Sequence, residues 1–133
     1  MDNAEKALKI ACDRTNAQIE EYTVAPVYMK SGSKGTHEWL IEFSKQPDNM
    51  NYFREALDNA LKSLNSDYEA KRYKDMTLTA PLILALPEGT FFEWMKKKHK
   101  LGGQHKVPRL SNDRKYVDDI LSLIGVSDAT KKV

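Results

Sequence analysis

Disulfide chemistry, export and membrane insertion have little to work with in this sequence. Its 133 residues hold a single cysteine, Cys12, which rules out an internal disulfide and fits a reducing compartment, so a cytoplasmic protein is expected. No apolar run approaches the roughly 20 residues that a membrane-spanning helix needs. Residues 2–9 mix Asp2, Glu5, Lys6 and Lys9 with alanines, which is a helix pattern and not an export signal. Neither sign of charge dominates: 21 Lys and Arg stand against 19 Asp and Glu, and a net +2 is too small to imply a polyanion partner by itself. There is no Walker loop, no dinucleotide fingerprint, no zinc-ligand spacing and no Ser/His/Asp set, and no repeat or low-complexity stretch. No resident metal is expected. What remains is one domain's worth of chain, long enough to bury roughly two-thirds of its unfolded surface.

Periodicity orders that chain. Asp2 and Glu5 have capping-box spacing, and Ala4, Ala7, Leu8 and Ala11 then make one narrow apolar stripe of a first helix. Cys12, beside the stripe, reads as a small semi-buried thiol, since no histidine or motif accompanies it. Ile19 to Met29 is rich in Tyr, Val and Ile and reads as a strand, in which Pro26 marks a bulge or an edge position. After a turn at 30–35, Thr36 to Phe43 alternates strictly. His37, Trp39, Ile41 and Phe43 take one face and Glu38, Leu40 and Glu42 the other, so an antiparallel partner strand with one dry face is expected. His37 reads as a strand-end residue, for no ligand partner lies at metal spacing on its face.

Pro47-Asp48 opens the clearest helix, in which Phe53, Ala56, Leu57, Ala60, Leu61 and Leu64 repeat at three-and-four spacing. Ser66 and Glu69 predict a capping box for a short helix that runs to about Tyr73. Leu82 to Leu86 is a near-continuous apolar run of strand length, the pattern of a strand buried on both faces. With the long helix between, it predicts a βαβ unit: this strand parallel to 36–43, joined by a right-handed crossover. Thr90 and Glu93 form a third capping-box pattern ahead of a helix over 91–98 that carries Phe91, Phe92, Trp94 and Met95. Val117, Ile120, Leu121 and Ile124 give a final helix its inner face, with Gly125 at the C′ position and a polar tail over 126–133. The fold class expected is α+β (mixed α/β): one domain over 1–125, a small mixed sheet of three to five strands covered by helices.

Chemistry, if any, sits in Gly102 to Arg114. Gly102 and Gly103 give a flexible lead, and Pro108 stiffens the exit and pushes Val107 towards an extended conformation. Lys106 and Arg109 lie between and beside them on a segment too polar for a core, and Ser111-Asn112-Asp113 offers caps for the final helix. This is a way to present a cation to something outside the domain. The ordinary reading of such a lysine is a solvated surface residue, and physics alone does not displace it. Lys96-Lys97-Lys98-His99-Lys100 is similar: a cationic last turn complements a helix dipole, while the sharper alternative is a non-catalytic module binding protein or nucleic acid through this cluster and the aromatic Phe91–Met95 face. No second basic cluster supports nucleic acid, which is not expected as a partner.

Resemblance carries the reading further. Asn65-Ser66-Asp67-Tyr68-Glu69-Ala70-Lys71-Arg72, Ala80-Pro81-Leu82-Ile83-Leu84, Pro87-Glu88-Gly89-Thr90-Phe91 and Gly102-Gly103-Gln104-His105-Lys106-Val107-Pro108-Arg109 come in an order and wording that resemble the C-terminal domain of the auxin-responsive promoter family of acyl-acid amido synthetases. Plant members carry a Tyr followed by basic residues, a Gly-Pro-Leu strand, Pro-Gly-Thr-Phe and Gln-Tyr-Lys-Thr-Pro-Arg. Here His105 replaces the plant Tyr and Val107 the plant Thr, and the Gly-Gly lead is closer to the bacterial branch. The resemblance covers essentially the whole chain.

It implies an adenylate-forming ligase that works with ATP and magnesium. A large N-terminal adenylation domain binds ATP and a carboxylic acid and forms the acyl-adenylate, and an amine, usually an amino acid, attacks to give the amide. The small C-terminal domain resembles the mobile lid of such enzymes, and Lys106 matches the lysine that the lid swings into the site. Gly102, Gly103 and Pro108 would serve as its hinge and loop, and Arg109 would reach phosphate or brace the loop against the final helix. The large catalytic domain has no counterpart in this sequence, so the expectation is a domain cut from a longer enzyme, with a stand-alone lid serving a separate subunit as the alternative. The domain alone is expected to be inert and to bind no cofactor.

Overall fold

The computed structural model describes residues 3–28, 35–73, 78–97 and 114–124. In chain order the elements are α1 (Asn3–Thr15), β1 (Gln18–Tyr28), β2 (Gly35–Lys45), α2 (Met50–Leu64), α3 (Ser66–Arg72), β3 (Leu82–Leu86), α4 (Thr90–Lys97) and α5 (Lys115–Leu123). The described sheet runs β1-β2-β3, with β1 antiparallel and β3 parallel to the central β2. The βαβ pairing expected from sequence is therefore present, and the fold is a small α+β domain.

Helices cover both faces of the sheet. On one, Ala7, Leu8 and Ala11 of α1 and Phe53, Leu57 and Leu61 of α2 pack with Tyr22, Val24, Trp39, Ile41 and Phe43 of the strands. Phe43 meets Phe53 edge-on with ring centroids 5.4 Å apart, an arrangement that adds about 1 kcal/mol to area burial. On the other face, Phe91 and Trp94 of α4 and Val117, Ile120 and Leu121 of α5 pack on Ala25, Leu40 and Leu86.

That second layer overturns the expectation of one dry face on β2. Glu38 and Glu42 are as deeply buried as their apolar neighbours, because α4 and α5 lie over them and supply the polar partners that a buried carboxylate requires. A second correction concerns β3. Its apolar run reads as a strand covered on all sides, yet Leu82 to Ala85 are only half-buried. It holds an edge of the described sheet, so its side chains touch both cores while their outer flanks stay open. Pro26 likewise lies on an edge strand, paired in register with His37, where its missing N–H costs no ladder bond. The bulge falls elsewhere: the register slips by one residue at Glu20 on β1 and at Ser44 on β2.

Caps also differ from the sequence patterns. Asn65 closes α2 with its backbone N–H on Leu61, and its side chain accepts from the Tyr68 N–H to open α3. It takes the role that Ser66 was expected to play. Asn49 caps α2 in the same way through the Tyr52 N–H. Thr90 donates its hydroxyl to the Pro87 carbonyl at 2.6 Å. The Thr90 N–H also goes to the Pro87 carbonyl, while the N–H groups of Gly89 and Phe91 go to a strand residue, Glu42.

Candidate functional site

The elements that frame 98–113 are held by carboxylates from the central strand. Glu42, near the end of β2, accepts from the Gly89 N–H at 2.9 Å and the Phe91 N–H at 3.0 Å, one through each carboxylate oxygen. An anion at a helix N-terminus satisfies donors that the helix leaves unpaired and complements its dipole. Gly89 makes this turn with φ of +87°, a conformation that residues with a Cβ rarely adopt. Glu42 thus sets where α4 begins, and Trp94 ties its far half to α5 by donating its indole N–H to Asp119 at 2.6 Å.

Arg114 does the same for the start of α5. Its guanidinium donates to Glu38 at 2.9 Å, to the Pro26 carbonyl at 3.0 Å and to Asp118 at 3.0 and 3.2 Å. Glu38 is 1% exposed, so this is a charge pair with one partner wholly withdrawn from water. Burial alone would lower the basicity of Arg114, but the hydrogen bond it donates to Glu38 and the field of Asp118 reverse this and hold the guanidinium charged. The helices α4 and α5, which flank 98–113, are thus each held at their start by a carboxylate of β2.

A second buried charge cluster lies at α2–α3. Arg72 grips Asp58 with two bonds of 2.8 and 2.6 Å, and Tyr68 donates its hydroxyl to the same carboxylate at 2.6 Å. Burial pushes the Asp58 carboxyl up, yet Arg72 and Tyr68 together hold it below the usual range. Tyr68 is driven well above the ordinary phenol value by burial and by Asp58. Arg72 also donates to the Leu78 carbonyl at 3.2 Å. The Tyr and Arg of the Asn65–Arg72 segment, which carried part of the family resemblance, are thus spent inside the domain.

Lys106, Arg109, Gly102, Gly103 and Pro108 lie outside the described residues, as do Ser111, Asn112 and Asp113 and the last members of the Lys96–Lys100 cluster. The aromatic face that a binding module would use is mostly occupied: Phe91 and Trp94 are buried, and Phe92 is left exposed. His37 is pushed towards its neutral form by burial and, secondarily, by Lys71. The Cys12 thiol is pushed up to about 11 by burial and by Asp13, against Lys9, which makes it a poor nucleophile. Among the described residues no three of His, Cys, Asp and Glu converge to hold a metal ion. No described helix is long and apolar enough to cross a membrane.

Sequence reasoning missed Glu38 and Glu42, reading them as a solvated face. The available signal was Leu40 between them, an apolar residue on a face otherwise assigned to water.

Comparison with known proteins bears on most of the chain. The family model of the GH3 family C-terminal domain matches residues 2–115. No curated protein matches. Among solved structures, the chain is similar to "GH3.15 acyl acid amido synthetase" with a TM-score of 0.69 and 20% identity, over 91% of this chain and 23% of that one. It is also similar to "AtGH3.15 acyl acid amido synthetase in complex with 2,4-DB", with a TM-score of 0.68 and 19% identity, over 90% of this chain and 23% of that one. Identities this low speak for the fold alone. The chain spans about a quarter (23%) of the length of the structures it resembles.

Proposed function

The chain belongs to the GH3 family C-terminal domain, and on that premise we propose that it is the small domain of an ATP-dependent acyl-acid amido synthetase that brings Lys106 to the phosphates during carboxylate activation. The carrying observation is the family match over 2–115, which takes in Gly102–Arg109. The tethered flanks support it. Arg114 is committed to Glu38, Asp118 and Pro26, which leaves Lys106 and Arg109 as the cations of the 102–114 stretch whose sequence context suits delivery.

The chemistry gives such a lysine its purpose. A carboxylate oxygen of the acid bonds to the α-phosphorus of ATP while the bond from that phosphorus to the bridging oxygen breaks and pyrophosphate departs. Negative charge grows on the equatorial oxygens and on the leaving group. A cation fixed there in a site closed to water stabilises the transition state more than the ground state. An ammonium on a long stem is a compact donor suited to delivery from a separate domain. An amine then attacks the acyl carbon, AMP leaves with the bonding electrons, and the amine gives up its proton. ATP, acid and amine are bound by a large N-terminal portion of the same enzyme in a reducing, cytoplasmic setting, and Arg109 either reaches a phosphate or braces the loop.

In the full-length enzyme Lys106→Ala lowers ATP–pyrophosphate exchange by about a hundredfold or more. An unchanged exchange rate would remove Lys106 from the mechanism.

A further inference from the structure

One open feature of the fold has no part in the phosphate chemistry. The paired register slips at Glu20 and Ser44 fall where the ends of β1 and β2 meet the start of α4. The result is a cleft of about 370 Å³ whose floor and wall are Phe43, Phe91, Phe92 and Met95. Bulges of this kind re-aim side chains at sheet ends, and here they bring Glu20 and Glu21 beside Glu88 at the same cleft. Among the described residues, no lysine or arginine contributes to its lining. Of the four phenylalanines, three are buried and Phe92, at this cleft, is 57% exposed.

We propose that this cleft is the seat on which a segment of the large catalytic portion docks, placing an apolar side chain against Phe92 and Met95 and a flanking lysine or arginine against Glu20 and Glu88. The inference rests on reading the chain as one domain of a larger synthetase. Its own grounds are threefold. The chain spans 23% of the length of the structures it resembles, so most of such a protein lies outside it and must meet this domain somewhere. Carboxylates around an apolar floor create a negative potential that selects a cationic neighbour. An exposed aromatic beside a pocket is the kind of anchor that concentrates binding energy in an interface. Glu42 takes no direct part, since its oxygens are already engaged by the Gly89 and Phe91 N–H groups.

The test uses the full-length enzyme with Phe92→Ala and, separately, Glu88→Lys. Both positions are exposed, so neither substitution removes a core contact. Each is expected to lower amide formation about tenfold or more and to speed backbone hydrogen exchange over 88–95. The Glu88→Lys defect is expected to shrink as salt rises. If both variants form amide at the wild-type rate with unchanged exchange, the docking seat is refuted. It is refuted equally if their defects track only the loss of a dimer in light scattering, because a second copy would then occupy the cleft. Lys106→Ala measured in parallel separates the two ideas. Lost pyrophosphate exchange there with silent cleft variants leaves the lysine's role standing and removes the seat, and the reverse pattern keeps the seat and removes the lysine.

Discussion

Arg72→Ala is the sharpest test of how this domain is held together. Arg72 and Asp58 are each 9% exposed at the side chain and joined by two short bonds, so the substitution leaves a carboxylate inside the protein without its main counter-charge. Breaking a buried pair from one side costs about 3–5 kcal/mol. The Tyr68 hydroxyl at 2.6 Å stays, and so does Lys62 at 3.6 Å from the same carboxylate, which puts the expected loss near 3 kcal/mol. Against a total stability of about 5–15 kcal/mol, that is a fall in Tm of about 10 °C or more. Urea unfolding followed by circular dichroism measures it. The pH dependence has a definite sign. In the wild type Asp58 is held below its ordinary range, so its stabilisation is present above about pH 4 and is lost as pH falls through the depressed value. In Arg72→Ala burial dominates and favours the protonated acid, so the deficit against wild type narrows as pH falls from 7 towards 4. Replacing both partners, as in Asp58→Leu with Arg72→Met, is expected to recover most of the loss. A deficit under about 0.5 kcal/mol at neutral pH, or one that does not narrow in acid, would refute the reasoning.

Two further outcomes follow from the same geometry. Glu42→Ala strips two charge-assisted bonds from the start of α4 and is expected to cost about 2–3 kcal/mol, with Glu42→Gln losing about half as much; faster amide exchange confined to the first turn of α4 identifies the cause, and unchanged exchange there would contradict it. Cys12, with its thiol pushed up to about 11, is expected to react with a disulfide reagent at pH 8 about a hundredfold more slowly than a free cysteine. A rate equal to that of the free amino acid would show the thiol to be neither shielded nor shifted.

Helix positions were legible in the sequence because apolar residues at three-and-four spacing leave little choice of face. The stripe from Phe53 to Leu61 is buried as its period requires. So was the parallel pairing of β2 with β3, since a strand, a long helix and another strand return to one sheet most simply that way. The caps were legible only as residue types. Asn65 does the work in place of Ser66, which matched a motif, and Asn49 caps α2 where the sequence holds no such motif, because a cap depends on where the backbone turns and not on spacing alone. Of the candidate site, the resemblance in four segments placed the family, and the match over 2–115 agrees with it. Lys106 and its neighbours stand on that resemblance and on their chemistry.

Sequence alone determined the class of the domain, the order of its elements, the faces of its helices and the family to which it belongs, since these follow from local periodicity and from wording along the chain. Tertiary structure decided the fate of the charges. Apart from Leu40 between them, nothing local distinguishes Glu38 and Glu42 from solvated strand residues; they are buried because α4 and α5, from 48 or more positions later in the chain, close over that face. Once covered, each carboxylate must find donors, and it finds them at the starts of those same two helices. Burial and partnership arise together in the packed state, and neither is written in the spacing of the residues.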